Sequence, residues 1–297
     1  MQSSRVTVLS IGQTLRSAQT SGLDRLDAQL LLLFALGKPA DARAWLLAHD
    51  DDALPAQVAD LFRSVSLRRA TGEPLAYIVG YKEFFGLPFA VDPRVLVPRP
   101  DTETLVQWVL DAASNMAAPE ILDLGTGSGA VGIAVAHSLK ARVTATDFSE
   151  TALAVASHNA RQLGVDVQFI QSNWFDKVSG HYHVITSNPP YIASHDPHLS
   201  ALAHEPLNAL ISGPDGLDDI RLIVQQAPQY LQPGGWLLLE HGYDQASAVF
   251  ELLMQRGLNQ VQSRRDLTGI ARCSGGQWDN KQLIFKGHDH GSNPNPN

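Results

Sequence analysis

Residues 120–130, EILDLGTGSGA, decide the fold. A short apolar run, EILDL, reads as a buried strand, and an apolar segment reading as a helix over 129–140 follows it. Between them stand Gly125, Gly127 and Gly129, which let the backbone turn tightly and approach a ligand closely. Strand, glycine turn and helix in that order open a β-α-β unit, and the pattern repeats outward from there. Strands are expected at 120–125, 141–147, 166–172, 182–188 and 234–242. Helices are expected at 129–140, 150–163, 217–231 and 244–256. The late segments QVQSRRD (260–266) and KQLIFKG (281–287) read as a final pair of strands. Such alternation specifies a doubly wound α/β domain with a mostly parallel, seven-stranded sheet.

Upstream the pattern changes. Residues 1–80 read as helical, with apolar residues at helical spacing in 23–37 and 55–72 and with Gly37 and Gly72 as stops. Residues 81–110, rich in Gly, Pro and short β-prone runs, read as a β-hairpin linker. The main domain then spans 111–286, and the Gly/Asn/Pro-rich tail 287–297 reads as disordered.

Composition narrows the function classes. The chain has 297 residues, 44% hydrophobic and 18% charged, which suits a soluble globular protein. No apolar run approaches the roughly 20 residues that span a bilayer, and no basic-then-apolar leader is present, so a membrane role is not expected. Cys273 is the single cysteine, which makes the cytoplasm the expected compartment. The eleven histidines are scattered without metal-ligand spacing, and no metal is expected. Net charge is −8; the first 80 residues carry 8 basic and 8 acidic groups, and the rest carry 14 and 22. That balance gives little support for binding a polyanion such as DNA. A monomer is the expected state.

Asp147 ends the second strand, 22 residues after Gly125, where an acid accepts bonds from both hydroxyls of a ribose. The dinucleotide fingerprint is G-x-G-x-x-G. Here the third glycine falls one residue early, and Asp123 stands two residues before the first. A nicotinamide oxidoreductase therefore remains only the alternative reading. The order D-x-G-x-G-x-G resembles class I S-adenosylmethionine-dependent methyltransferases, whose cofactor brings an ammonium that seeks carboxylates or carbonyls.

A second motif supplies the acceptor side. SNPPYI (187–192) follows the fourth strand of the main sheet, and two prolines there end the hydrogen-bond ladder in a rigid, carbonyl-rich corner. In a doubly wound sheet this corner and the glycine loop share one rim. A planar amide or aromatic amine is a poor nucleophile because its lone pair is delocalised. The Asn188 side-chain oxygen and the Pro189 carbonyl can accept its two N–H bonds and aim it at a methyl group, while the Tyr191 ring packs on the planar group. No strong base is required before transfer.

Asn-Pro-Pro-Tyr resembles the motif of methyltransferases acting on planar nitrogen: DNA adenine N6 enzymes, some ribosomal RNA enzymes and glutamine N5 enzymes. Residues 72–103, 205–217 and 237–245 resemble the protein-(glutamine-N5) methyltransferases of peptide chain release factors, a likeness running from about residue 20 to 286. It implies a helical N-terminal domain that helps hold the release factor, and a cofactor, S-adenosylmethionine, bound by Asp123, Gly125, Thr126, Gly127, Ser128, Gly129 and Asp147. Trp174 would flank the adenine. Asn188 would touch cofactor and glutamine, and Pro189, Pro190 and Tyr191 would complete the glutamine pocket. Arg99, Pro100, Asp101 and Glu103 match a signature that shapes or braces that pocket, with Arg99 at the substrate. The implied reaction is methylation of the Gly-Gly-Gln glutamine of release factors, which modulates translation termination. There are departures: Asn173 stands where the family usually has an acid, and the segment between Asp266 and Lys281 reads as irregular. That segment contains Gly275-Gly276-Gln277, read as a turn tripeptide. Glu240 and His241 read as a buried structural pair.

Overall fold

Two runs of contrasting periodicity produce two units, one up to Tyr81 and one from Lys82 on. The computed structural model describes residues 9–279. The expected strand at 281–287 and the expected disordered tail at 287–297 lie outside the described residues.

The first unit is helical: α1 (Ile11–Thr20), α2 (Arg25–Ala35), α3 (Arg43–Ala48), α4 (Ala56–Ala70) and α5 (Leu75–Val79). Ser10 opens α1 with a reciprocal cap: its hydroxyl accepts from Gln13 N–H and its own N–H donates to the Gln13 side chain. In α2, Leu31, Leu32 and Leu33 are all fully buried. Consecutive helical residues point about 100° apart, so α2 is covered on several sides and forms the centre of this unit. Ile11, Leu46, Phe62 and Val65 pack against it.

A hairpin, β1 (Tyr81–Phe84) and β2 (Leu87–Ala90), opens at the boundary between the units and is followed by α6 (Glu103–Ala113). The main sheet and its helices follow: β3 (Glu120–Leu124), α7 (Ala130–Ser138), β4 (Arg142–Asp147), α8 (Glu150–Leu163), β5 (Gln168–Gln171) and β6 (Tyr182–Ser187). Then come α9 (Asp218–Gln226), β7 (Leu231–Glu240), α10 (Ala246–Gln255), β8 (Asn259–Arg265) and β9 (Ala271–Trp278). Among the described residues, seven strands lie in the order β5-β4-β3-β6-β7-β9-β8. The first five are parallel; β9 runs antiparallel to both β7 and β8. The sheet is thus the mostly parallel, doubly wound one expected from sequence.

Alternation along the strands builds two cores. In β3, Ile121 faces α6 and α7, while Leu122 and Leu124 face α9 and α10. Phe84, Phe89 and Trp108 are buried in the first of these cores. The stretch read as a linker over 81–110 therefore contributes a hairpin and a helix to the packed body of the second unit.

Two expectations need correction. The helix expected over 217–231 stops at Gln226, because Pro228 has no N–H and cannot continue the ladder; residues 227–229 form a 3₁₀ turn and β7 starts at Leu231. The segment expected to be irregular contains β9, and Gly275-Gly276-Gln277 lies inside it, paired with β7 on one side and β8 on the other. Gln277 Nε2 donates to the Gly234 carbonyl at 2.7 Å. The tripeptide is a strand segment rather than a turn, and packing explains its glycines. A Cβ on Gly275 would sit 2.6 Å from the Leu237 carbonyl oxygen, and one on Gly276 would sit 2.9 Å from the Leu258 Cβ. Gly275→Ala is expected to destabilise the fold by about 1–3 kcal/mol through overpacking. Urea denaturation checks this, and an unchanged midpoint would contradict it.

Candidate active site

Strand order creates the site. From β3 the chain steps outward to β4 and β5, then returns to place β6 on the other side of β3. The loops leaving β3 and β6 diverge at this point, and a crevice opens beyond the carboxyl ends of the strands. A cavity of about 320 Å³ lies there, lined by Arg99, Thr102, Asp123, residues 125–128, Asp147, Phe148, Asn173, Trp174, Asn188 and Pro190, among others.

The glycine loop is held open by its own backbone. Gly125, Gly127 and Gly129 have φ of 69°, 55° and 84°, the left-handed region that side chains disfavour. A Cβ on Gly127 would meet nothing within 4 Å, so the backbone there faces open space. Thr126 N–H donates to the Thr146 carbonyl at 2.8 Å and locks the loop to β4.

Two carboxyls flank this loop. Asp123 is 1% exposed; one oxygen accepts from the Thr126 hydroxyl at 2.6 Å and from Gly132 N–H at 3.0 Å. Burial pushes its pKa up to about 6, against the pull of those two bonds. Asp147 accepts from Gly127 N–H and from Ser149 N–H, both at 2.8 Å. Burial raises its pKa as well, with both bonds opposing. Two desolvated acids beside an open backbone loop suit a ligand that brings hydroxyls and a positive charge.

Trp174 forms one wall. Its φ is 45°, unusual for a large side chain and common where function imposes a conformation. Its indole N–H donates to Asp219 at 3.2 Å, and its ring comes within 3.2 Å of where a Gly125 Cβ would stand.

The proline corner forms the opposite wall. Ser187 ends β6, with its hydroxyl donating to the Leu124 carbonyl at 2.7 Å. Asn188 follows on the cavity wall, its Nδ2 donating to the Thr102 hydroxyl at 3.2 Å. Pro189 is buried, and Pro190 reaches the cavity. Tyr191 is half-buried; its hydroxyl lies 3.5 Å from Glu240 Oε1, and burial raises its pKa. Pro189, Tyr191 and Gly129 are not among the residues lining the cavity. The chain beyond the corner is tied down by Gln245, which donates to the Tyr191 carbonyl at 3.0 Å, and by a bridge from Ile192 to Ile211.

The signature before α6 acts as a set of braces. Arg99 lines the cavity and donates at 2.5 Å to Glu205, whose side chain is 3% exposed. Asp101 pairs with Arg272 at 3.0 Å, and Glu103 accepts from Phe85 N–H at 3.0 Å. Sequence reasoning gave no role to Thr102, Glu205 or Asp219. Glu205 and Thr102 both lie in stretches that carry the family likeness, 205–217 and 72–103, and that was the one available signal for either. Glu240 and His241 are both buried, but they are not partners. The His241 Nδ1 faces the Gly242 carbonyl at 2.9 Å and must carry the proton, so Nε2 accepts from Ser274 at 2.8 Å. Glu240 turns instead toward Tyr191, whose hydroxyl lies 3.5 Å from its Oε1. Successive residues at a strand end point to opposite faces, which separates them.

Among the described residues, no group of three or more His, Cys, Asp or Glu is placed to hold a metal, and no helix is long and apolar enough to cross a membrane.

Known proteins are similar to this chain. Residues 101–210 match the family described as Methyltransferase small domain, and residues 10–80 match the PrmC N-terminal domain. A release factor glutamine methyltransferase from Bordetella pertussis is 48% identical over 86% of this chain and 95% of its own. The namesake from Burkholderia pseudomallei is 47% identical over 87% and 94%. Among solved structures, a methyltransferase from Pyrococcus furiosus shares the fold, with a TM-score of 0.50 and 21% identity over 71% of this chain and 98% of that one. At 47–48% identity across nearly the full length of those relatives, the chain belongs to the release factor glutamine methyltransferase family.

Proposed function

We propose that this protein transfers a methyl group from S-adenosylmethionine to the side-chain amide nitrogen of the glutamine in the Gly-Gly-Gln motif of peptide chain release factors. One observation carries the reading: the glycine loop, Asp147 and Asn188 line a single cavity at the switch point of the sheet. That cavity brings a nucleoside site and a planar-nitrogen site together, and the names of the relatives supply the acceptor.

The residues fit the methyl donor. Asp147 offers its remaining lone pairs to the ribose hydroxyls, the loop 125–129 lies against the amino-acid end, and Trp174 flanks the adenine. The desolvated Asp123 and Asp147 carboxyls would each be eased by the ligand's ammonium and hydroxyls. When bound, S-adenosylmethionine supplies an electrophilic methyl group on a cationic sulfur. Asn188 Oδ1 and the Pro189 carbonyl accept the two N–H bonds of the substrate amide, which turns the nitrogen toward the cofactor and holds it there. Tyr191, Pro190 and Arg99 complete the walls around the glutamine. The amide carries no net charge before transfer and loses its proton afterwards, so the reaction needs positioning more than a strong base. The helical residues 1–80 serve as a docking platform for the folded substrate, and the unit that begins at Lys82, hairpin and α6 included, as the transferase domain. The protein works in the cytoplasm, as a monomer and without a metal.

The test is a labelled-methyl transfer assay with three acceptors: a release factor, its Gln→Ala variant at the Gly-Gly-Gln motif, and duplex DNA. Label should enter the first alone. Transfer to DNA, or equal transfer to the Gln→Ala variant, would overturn the assignment.

A further inference from the structure

Gly-Gly-Gln offers a single side chain to a cavity, because its glycines have none. Affinity for the protein that carries it must therefore come from the surface around the cavity mouth. That surface is marked by apolar side chains. Among the described residues of the second unit, five exposed large apolar residues lie in loops beyond the carboxyl ends of the strands: Phe148, Leu207, Tyr243, Leu267 and Ile270. Phe148 follows β4, Leu207 sits in the crossover after β6, and Tyr243 follows β7. Leu267 and Ile270 lie in the turn between β8 and β9. This turn opens at the same end, because β9 runs antiparallel to β7 and sets Cys273 opposite Glu240. The other three exposed apolar residues of this unit lie on α9 and α10, and none lies at the amino ends of the strands. Scattered exposed apolar residues need no explanation, but a one-ended distribution does.

The turn between β8 and β9 is built without the Leu267 side chain. Asp266 Oδ1 accepts from Thr268 N–H at 2.8 Å, from the Thr268 hydroxyl at 2.7 Å and from Ile270 N–H at 3.0 Å. Gly269, with φ of 87°, donates its N–H to the Asp266 carbonyl at 3.0 Å. These bonds fix the turn, and a polar residue in place of Leu267 would serve it equally. Leu267 is instead fully exposed. The turn is also tied to the cavity. Arg272 reaches Asp266 at 3.4 Å and Asp101 at 3.0 Å, and Asp101 stands two residues from the cavity-lining Arg99. Tyr243 belongs to the neighbouring loop. His241 N–H in that loop donates to the Arg272 carbonyl at 2.9 Å. Gln245, which holds the Tyr191 carbonyl of the proline corner, accepts from Gly242 N–H at 2.8 Å.

We propose that Leu267, Ile270 and Tyr243 form a preformed apolar contact for the folded release factor, which seats on this rim while its glutamine enters the cavity. Position decides the occupant. The cavity lies beyond the carboxyl ends of the strands, so the protein that presents the glutamine must lie against the loops around its mouth. A contact already held by its own backbone costs little to order on binding. None of the three residues lines the cavity, so they act on binding of the protein and not on methyl transfer. This role rests on the reading that a release factor is the acceptor.

The experiment measures kcat and KM with full-length release factor, and the Kd of that factor by calorimetry with S-adenosylhomocysteine present. The proteins are wild type, L267S, Y243S, the double variant L267S/Y243S and, as a control on α10, M254S. Serine removes apolar surface without adding a charge. L267S and Y243S should each raise KM and Kd about 5-fold, and the double variant should raise them about 10-fold or more, the scale of interface residues that matter. Turnover at saturation should stay within about twofold of wild type, donor affinity should not change, and M254S should behave as wild type. Y243S carries the test if L267S does not fold. Unchanged KM and Kd in the double variant, or an equal rise in M254S, would overturn the proposal. So would a lowered kcat at unchanged KM. A wild-type dimer, seen by sedimentation, that L267S dissolves without changing KM would assign the face to a second copy of this chain and also overturn it. Failure of the wild-type protein to methylate the release factor would instead overturn the reading on which the role rests.

Discussion

Replacing Asn188 by alanine is expected to lower kcat by about 10²-fold or more while leaving methyl-donor affinity within a few-fold. The corner that carries Asn188 is built to hold still. Pro189 and Pro190 fix two successive φ angles near −65°. Ser187 is bonded to the Leu124 carbonyl, and Gln245 holds the Tyr191 carbonyl. Alanine would leave this backbone intact and take away only the acceptor for one substrate N–H and the partner of Thr102. The substrate amide would keep one acceptor, the Pro189 carbonyl, and could rotate about it. A loss of orientation at the reacting atom is a loss in kcat, whereas binding through the rest of the release factor is retained. Single-turnover methyl transfer with full-length release factor measures this directly. Near-normal turnover by N188A would remove Asn188 from the mechanism.

Asp147→Ala is expected to weaken S-adenosylmethionine or S-adenosylhomocysteine binding by about 1.5–3 kcal/mol, roughly 10- to 150-fold in Kd, the scale of lost hydrogen bonds to a charged group. Each Asp147 oxygen already accepts one backbone N–H, from Gly127 and from Ser149. Each keeps a second lone pair for a ribose hydroxyl. Alanine removes those acceptors and also leaves the Gly127 N–H without its partner, so the glycine loop loosens at the same time. Calorimetry checks the figure, and unchanged affinity would exclude the ribose role. In the same experiment NAD should not bind wild-type protein. Binding of NAD alone would revive the oxidoreductase alternative and end the methyltransferase reading.

Much of this molecule was legible before any coordinates. Alternating strand and helix signals from residue 120 onward gave the parallel sheet, because period-2 and period-3.6 burial leave distinct marks in a linear pattern. The glycine loop and Asp147 were legible because their spacing is local to one β-α-β unit. Errors arose where local composition misleads. Gly275-Gly276-Gln277 looks like a turn, yet its glycines answer to the Leu237 carbonyl and the Leu258 side chain, which approach from elsewhere in the chain. The helix before β7 ends five residues short of the expected Leu231, because its apolar spacing continues through Pro228, which ends the ladder.

Sequence alone determined the class of fold, the strand-end positions of Asp123, Asp147 and Asn188, and the family likeness. Each of these depends on residues near one another along the chain or on whole-length similarity. Tertiary structure alone decided the partners. Asn188 meets Thr102 across 86 residues, and Arg99 meets Glu205 across 106. Glu240, in turn, lies 3.5 Å from the Tyr191 hydroxyl while the adjacent His241 bonds Ser274. No local spacing encodes such pairs, since they form only when strand order sets β6 beside β3 and β7 beside β6, and each strand end then meets whatever the neighbouring crossover has brought there.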